Sequence, residues 1–137
     1  MADAKISALP AVTTPLALTE ELPAVQSSTT KKVTVQQILT GVLVTEASTS
    51  RTLSATDNGK IIYCTSSSAV TINCASGLGA GFNCTIIQGG TGKVTVAPNS
   101  QTLVSYSSLF STMGQYAVIS LVAPVANTFV AAGNLGV

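Results

Sequence analysis

From Thr52 onward, apolar and polar positions alternate in short runs punctuated by Gly, Pro, Asn and Ser. A period of two belongs to the β-strand, whose successive side chains point to opposite faces. Thr56-Asp57-Asn58-Gly59 reads as a turn, because Asn and Gly tolerate positive φ, and it leads into a strand over Lys60–Thr65. Further strands are expected over Ala69–Cys74, Phe82–Gln88, Lys93–Ala97, Gln101–Val104 and Thr128–Ala132. Tyr116–Val122 is apolar in both phases, the pattern of a central strand covered on both faces. The alternation points Val70, Ile72, Phe82, Cys84, Ile86, Val94 and Val96 inward, and Thr71, Asn73, Thr85 and Thr95 outward.

The first 50 residues follow no such rule. Pro10, Pro15 and Pro23 interrupt short apolar pieces containing Ile6, Leu9, Leu22 and Val25. Proline fixes φ and removes a ladder donor, so extended segments, edge strands or docked loops are expected. Lys32–Val35 alternates like a strand, while Thr34 could equally cap a short helix over Val35–Leu39 that ends at Gly41. Val42–Val44 reads as another short strand and Ala47–Ser50 as a linker. The expected organisation is an extended arm over 1–50 followed by a β-module over 51–137. Short strands about 8–12 residues apart with turn residues between them predict an all-β fold, a β-sandwich or jelly-roll-like module.

Charge changes this picture. Only 8% of the 137 residues are charged while 46% are hydrophobic, against roughly 25% charged in ordinary globular proteins. The charges also crowd into the first part of the chain, and after Lys60 the only charged side chain is Lys93. A surface without interspersed charge is poorly suited to a lone soluble domain, which points to assembly with neighbouring subunits. A net charge of +1 gives no footprint for nucleic acid, and Lys31-Lys32 is too short for a basic patch. No apolar run approaches the ~18 residues of a membrane span, and no secretory signal is visible. Synthesis in the cytoplasm and no membrane partner are therefore expected.

Candidate chemistry is sparse. The chain has no histidine, which removes the usual general base, proton shuttle and metal ligand. Asp57 in a turn and Glu46 in a linker make a poor carboxylate pair. Cys64, Cys74 and Cys84 fall in phase with apolar neighbours and read as small buried hydrophobes, without a metal site or a closed disulfide framework. Gly89-Gly90-Thr91-Gly92-Lys93 superficially suggests a phosphate loop. Ile87 stands where its first glycine belongs, and Val94 follows the lysine where Ser or Thr should hold magnesium, so a hairpin turn is expected instead. No catalytic residue, cofactor or metal is assigned, and no enzymatic activity is expected.

Several stretches resemble modules of tailed-bacteriophage virion structural proteins. K-I-S-A-L-P-A-V at Lys5–Val12, E-E-L-P-A-V-Q at Glu20–Gln26 and T-K-K-V-T-V-Q-Q-I-L at Thr30–Leu39 resemble, in this order, an N-terminal particle-attachment segment. T-L-S-A-T-D-N-G-K at Thr52–Lys60, G-A-G-F-N-C-T-I-I-Q at Gly79–Gln88, T-G-K-V-T-V-A-P at Thr91–Pro98 and G-Q-Y-A-V-I-S-L-V at Gly114–Val122 resemble the β-rich modules of such proteins. The resemblance implies a virion protein, commonly a homotrimer. A receptor-binding fibre ordinarily continues into a shaft or tip, and this sequence stops after one β-module. The expectation is therefore a capsid decoration, or cement, protein on the capsid surface, with the major capsid protein and copies of itself as partners. A tail-fibre or tail adaptor subunit is the alternative. A carbohydrate-binding β-sandwich, using Tyr63, Tyr106 and Tyr116, is the second. The arm's apolar positions Ile6, Leu9, Leu22, Val25, Val33 and Ile38 are the candidate interface residues.

Overall fold

The computed structural model describes residues 21–26, 29–34 and 42–137. The chain divides into two units, Met1–Gly41 and Val42–Val137. In the first, strands β1 (Glu21–Gln26) and β2 (Thr29–Thr34) form an antiparallel hairpin. Pro23, opposite Lys32, is tolerated because both strands of a two-stranded ribbon are edges.

The second unit is all-β, built of two sheets. Its chain winds between them. Strands β3 (Leu43–Glu46), β5 (Lys60–Cys64) and β7 (Asn83–Gln88) stack in parallel in one sheet. Strands β4 (Ser50–Thr52), β6 (Val70–Asn73) and β8 (Val94–Ala97) stack in parallel in the other. Each step from one strand to the next crosses the core, so β3–β4, β5–β6 and β7–β8 are successive solenoid-like coils.

The winding then changes. Strand β9 (Thr102–Ser105) takes the far edge of the first sheet and β10 (Ser111–Thr112) joins β8 antiparallel in the second. Strand β11 (Val118–Val125) enters antiparallel beside β7, β12 (Thr128–Gly133) folds back on it, and β13 (Leu135–Gly136) pairs with β10. The result is a six-stranded sheet ordered β3-β5-β7-β11-β12-β9 and a five-stranded sheet ordered β13-β10-β8-β6-β4. A jelly roll is wholly antiparallel, and these stacked coils are parallel. Side-chain alternation is blind to strand direction, so the pattern that marks the strands could not reveal it.

One core lies between the sheets. Ile62, Ile86 and Ile119 stand in register across β5, β7 and β11, all fully buried, with Cys84 beside Leu121. Within the five-stranded sheet, Val70 and Ile72 stand beside Val94 and Val96, all buried against the same core. Burying each such side chain stabilises the fold by about 1.5–3 kcal/mol. Phe82 and Phe129 meet edge to face at 6.3 Å. All seven positions expected to face inward are buried, and Thr71, Asn73, Thr85 and Thr95 lie on the opposite phase.

Gly89–Lys93 is not a hairpin, because β7 and β8 belong to different sheets; it is the corner between them. The glycines let this corner lie directly on the corner below. Gly89 and Gly90 N–H donate to the Cys64 carbonyl at 2.7 and 2.9 Å, and Gly92 N–H to Ser66 O at 3.1 Å. A Cβ on Gly90 would sit 2.1 Å from Ser66 O, and one on Gly92 1.9 Å from Ser68 O. The run of glycines reflects backbone contact between coils.

Candidate interaction surface

The six-stranded sheet has a second face, turned away from the core. Its residues are the out-of-phase members of each strand: Leu43 and Thr45 on β3, Ile61 and Tyr63 on β5, Asn83, Thr85 and Ile87 on β7, and Val118, Ser120 and Val122 on β11. Pairing aligns Val104, Val130 and Val122 in one row across β9, β12 and β11. Their exposures are 45%, 37% and 41%. Ser120, Thr85 and Ala132 fill positions between them, and no charged side chain lies among these residues. A depression of about 260 Å³ lined by Tyr106, Leu109, Val130, Ala132 and Leu135 adjoins the valine row. Tyr106, fully exposed, follows the end of β9.

The outer face of the five-stranded sheet is chemically different. Ser50 and Thr52 on β4, Thr71 and Asn73 on β6, Thr95 on β8 and Ser111 on β10 carry hydroxyls and an amide. Four of these groups pair with one another: Thr95 Oγ1 and Ser111 Oγ share a hydrogen bond at 2.8 Å, and Asn73 Nδ2 donates to Ser50 Oγ at 3.2 Å. β-Branched threonines suit a pleated surface and remain wettable.

Three charged side chains gather in the first coil. Arg51 stands in register with Ile72 and Val96, so its stem enters the core column at the end where the coils begin. Its guanidinium donates to Glu46 Oε2 at 2.9 Å and to Asp57 Oδ1 at 2.6 Å. Asp57, with its side chain 1% exposed, also accepts Ser54 N–H at 2.9 Å. Burial alone would raise the Asp57 pKa, but the Arg51 and Ser54 hydrogen bonds outweigh it and hold the carboxyl below its ordinary value. Glu46 is lowered by the Ser48 hydroxyl, its backbone N–H and Arg51. Glu46 and Asp57, far apart in the linear reading, thus share one arginine. The cluster closes the end coil, as terminal repeats of a solenoid require a polar cap.

Thr112 and Gln88 are buried polar residues that partner each other. Thr112 Oγ1 accepts from Val94 N–H at 2.9 Å and bonds to Gln88 Oε1. Desolvation pushes the thiols of Cys64 and Cys74 up to about 11 and that of Cys84 to about 12, so they remain protonated and poorly nucleophilic at neutral pH. Lys93 donates to Val137 O. Among the described residues, no group of three or more Cys, Asp or Glu side chains is arranged to hold a metal ion, and no helix is long and apolar enough to cross a membrane.

Of the arm positions expected at an interface, Ile6, Leu9 and Ile38 lie outside the described residues. Leu22 pairs with Val33 and Val25 with Thr30 in the hairpin, which puts Val25 in the opposite strand phase from Leu22. Residues 42–50 form β3 and open β4 of the second unit. The three tyrosines are dispersed: Tyr63 lies with its ring over Gly89, while Tyr106 and Tyr116 line separate depressions. The apolar sheet face went unnoticed in the linear reading. Its signal was Tyr116–Val122, apolar in both phases although only one face of β11 meets the core.

No protein-family model matches the chain, and none of the curated proteins matches its sequence.

Proposed function

We propose that this protein is a non-enzymatic structural subunit of a tailed-phage particle, a capsid decoration protein that binds and stabilises the head shell as a homo-oligomer, a homotrimer by its resemblance to phage virion proteins. The observation that carries the reading is the charge-free, apolar outer face of the six-stranded sheet. Such a surface is costly on a free subunit and useful on one that packs against protein. In this reading the β-module is a short solenoid-like stack whose two sheets enclose one core, and the N-terminal segment attaches it to the major capsid protein. Stabilisation comes from repetition: at ~25 cal/mol per Å² of apolar area, a modest contact repeated over a lattice gives a large total.

The test is the copy number of the protein in purified particles, relative to the major capsid protein, by quantitative mass spectrometry. Hundreds of copies in a fixed ratio are expected. A few dozen or fewer would move it to the tail as a fibre or adaptor subunit. Absence from particles would remove the virion reading, and a glycan array would then examine the carbohydrate-binding alternative.

A further inference from the structure

We infer that the outer face of the six-stranded sheet is the surface through which copies of this chain contact one another. The inference rests on the assembly reading above and names the partner of that surface. The first argument is the mismatch within β11. Ile119, Leu121 and Ala123 are buried in the core, yet in the opposite phase Val118 and Val122 flank a single serine, Ser120, and Val122 and, past the bulge, Val125 are exposed. A strand with one wet face ordinarily alternates apolar with polar, whereas continuous apolar character belongs to strands covered on both sides. The valine row extends that character across β12 and β9.

The second argument concerns the occupant. A face without charge cannot select a partner by electrostatic complementarity, but it can meet its own copy with no like-charge penalty. Ser120 and Thr85, cross-strand neighbours on that face, supply hydroxyls that can donate to or accept from a second copy. The third argument is size. Six strands spaced by about 4.8 Å, each about five residues long at about 3.3 Å per residue, present roughly 500 Å² per copy. Two such faces bury roughly 1,000 Å² together, the lower limit for a specific protein contact. The hydroxyl-bearing face of the other sheet lacks this apolar content and is left to solvent.

Sedimentation equilibrium on the full chain tests the inference. The wild-type protein is expected at two or more times the chain mass of 13.8 kDa, with Val122→Lys/Val130→Lys shifting it to the monomer by at least about a hundredfold in dissociation constant. Thr95→Lys on the five-stranded sheet should leave the mass unchanged. If the double-lysine variant fails to fold by circular dichroism, the near-isosteric Val104→Thr/Val122→Thr/Val130→Thr variant must still weaken association. A wild-type monomer at all concentrations, or variants that associate unchanged, would overturn the inference. The outcomes separate from those of the particle measurement. A monomer abundant in particles would retain decoration and give this face to the shell, while an oligomer absent from particles would retain the contact and discard the virion reading.

Discussion

The two sheets of the β-module share one core but meet the outside in opposite ways. The five-stranded sheet turns Ser50, Thr52, Thr71, Asn73, Thr95 and Ser111 outward, with Asn73 bonded to Ser50 and Thr95 to Ser111. The six-stranded sheet turns out Leu43, Ile61, Ile87, Val118, Val122 and Val130. Inward positions are aliphatic in both, because the core admits little else. The inward phase therefore specifies that the chain folds, and the outward phase carries the information about what it meets. Neither outer face uses charge, so wettability is set by hydroxyls and amides.

The comparison is sharpest within β7, where Ile86 and Ile87 are neighbours on opposite faces. Ile86 is fully buried between Ile62 and Ile119. Ile86→Ala should cost about 3–4 kcal/mol in urea unfolding, from lost burial and the cavity left behind. Next in size is the joint between the sheets. Gly92→Ala drives a Cβ into the Ser68 backbone carbonyl and should cost about 3 kcal/mol by the same assay, with no change in either outer face.

The ionic cap comes third. Arg51→Met leaves Asp57 buried with Ser54 as its remaining partner, and should cost about 2 kcal/mol, less than for fully buried pairs because Arg51 is partly exposed. The cap also sets a pH dependence. Glu46 and Asp57 have folded pKa values below their ordinary 4.5 and 3.8. Their contribution is therefore fully present above about pH 4.5 and is lost as pH falls through the lowered folded values. Thermal melts of wild type between pH 6 and 3 should show this decline, and Arg51→Met should flatten it. The smallest effect on folding is expected from Ile87→Ala, about 1 kcal/mol, since its side chain is only partly covered. Its effect should appear in association instead. An Ile87→Ala loss equal to that of Ile86→Ala would erase the distinction between the faces.

Much of the core was legible in the sequence, because alternation over β5 to β8 is clean and every turn carries Gly, Asn, Pro or Ser. The winding was not. Parallel and antiparallel strands share one side-chain period, and stacking appears only when Ile62 is placed beside Ile86. Strand β4 was hidden for a different reason: Ser50-Arg51-Thr52 puts arginine at the inward position, and only Glu46 and Asp57, brought in from separate segments, make that tolerable. The glycine-rich corner announced a turn, while the Ser66 and Ser68 carbonyls that demand glycine are distant in sequence. The apolar face was half legible: both phases of Tyr116–Val122 signalled a doubly covered strand, and the β-module itself supplies one of the covers.

Thiol labelling compares the two faces most directly, because Cys64, Cys74 and Cys84 are buried and held protonated and so give little background. Val130→Cys reports the six-stranded face and Thr95→Cys the five-stranded one, each treated with a maleimide as dilute subunit and in the assembled state. The expected result is strong protection of position 130 on assembly, with position 95 reacting at nearly the same rate in both states. Equal reactivity of position 130 before and after assembly, or protection of position 95 in its place, would contradict the assignment of the apolar face as the contact surface.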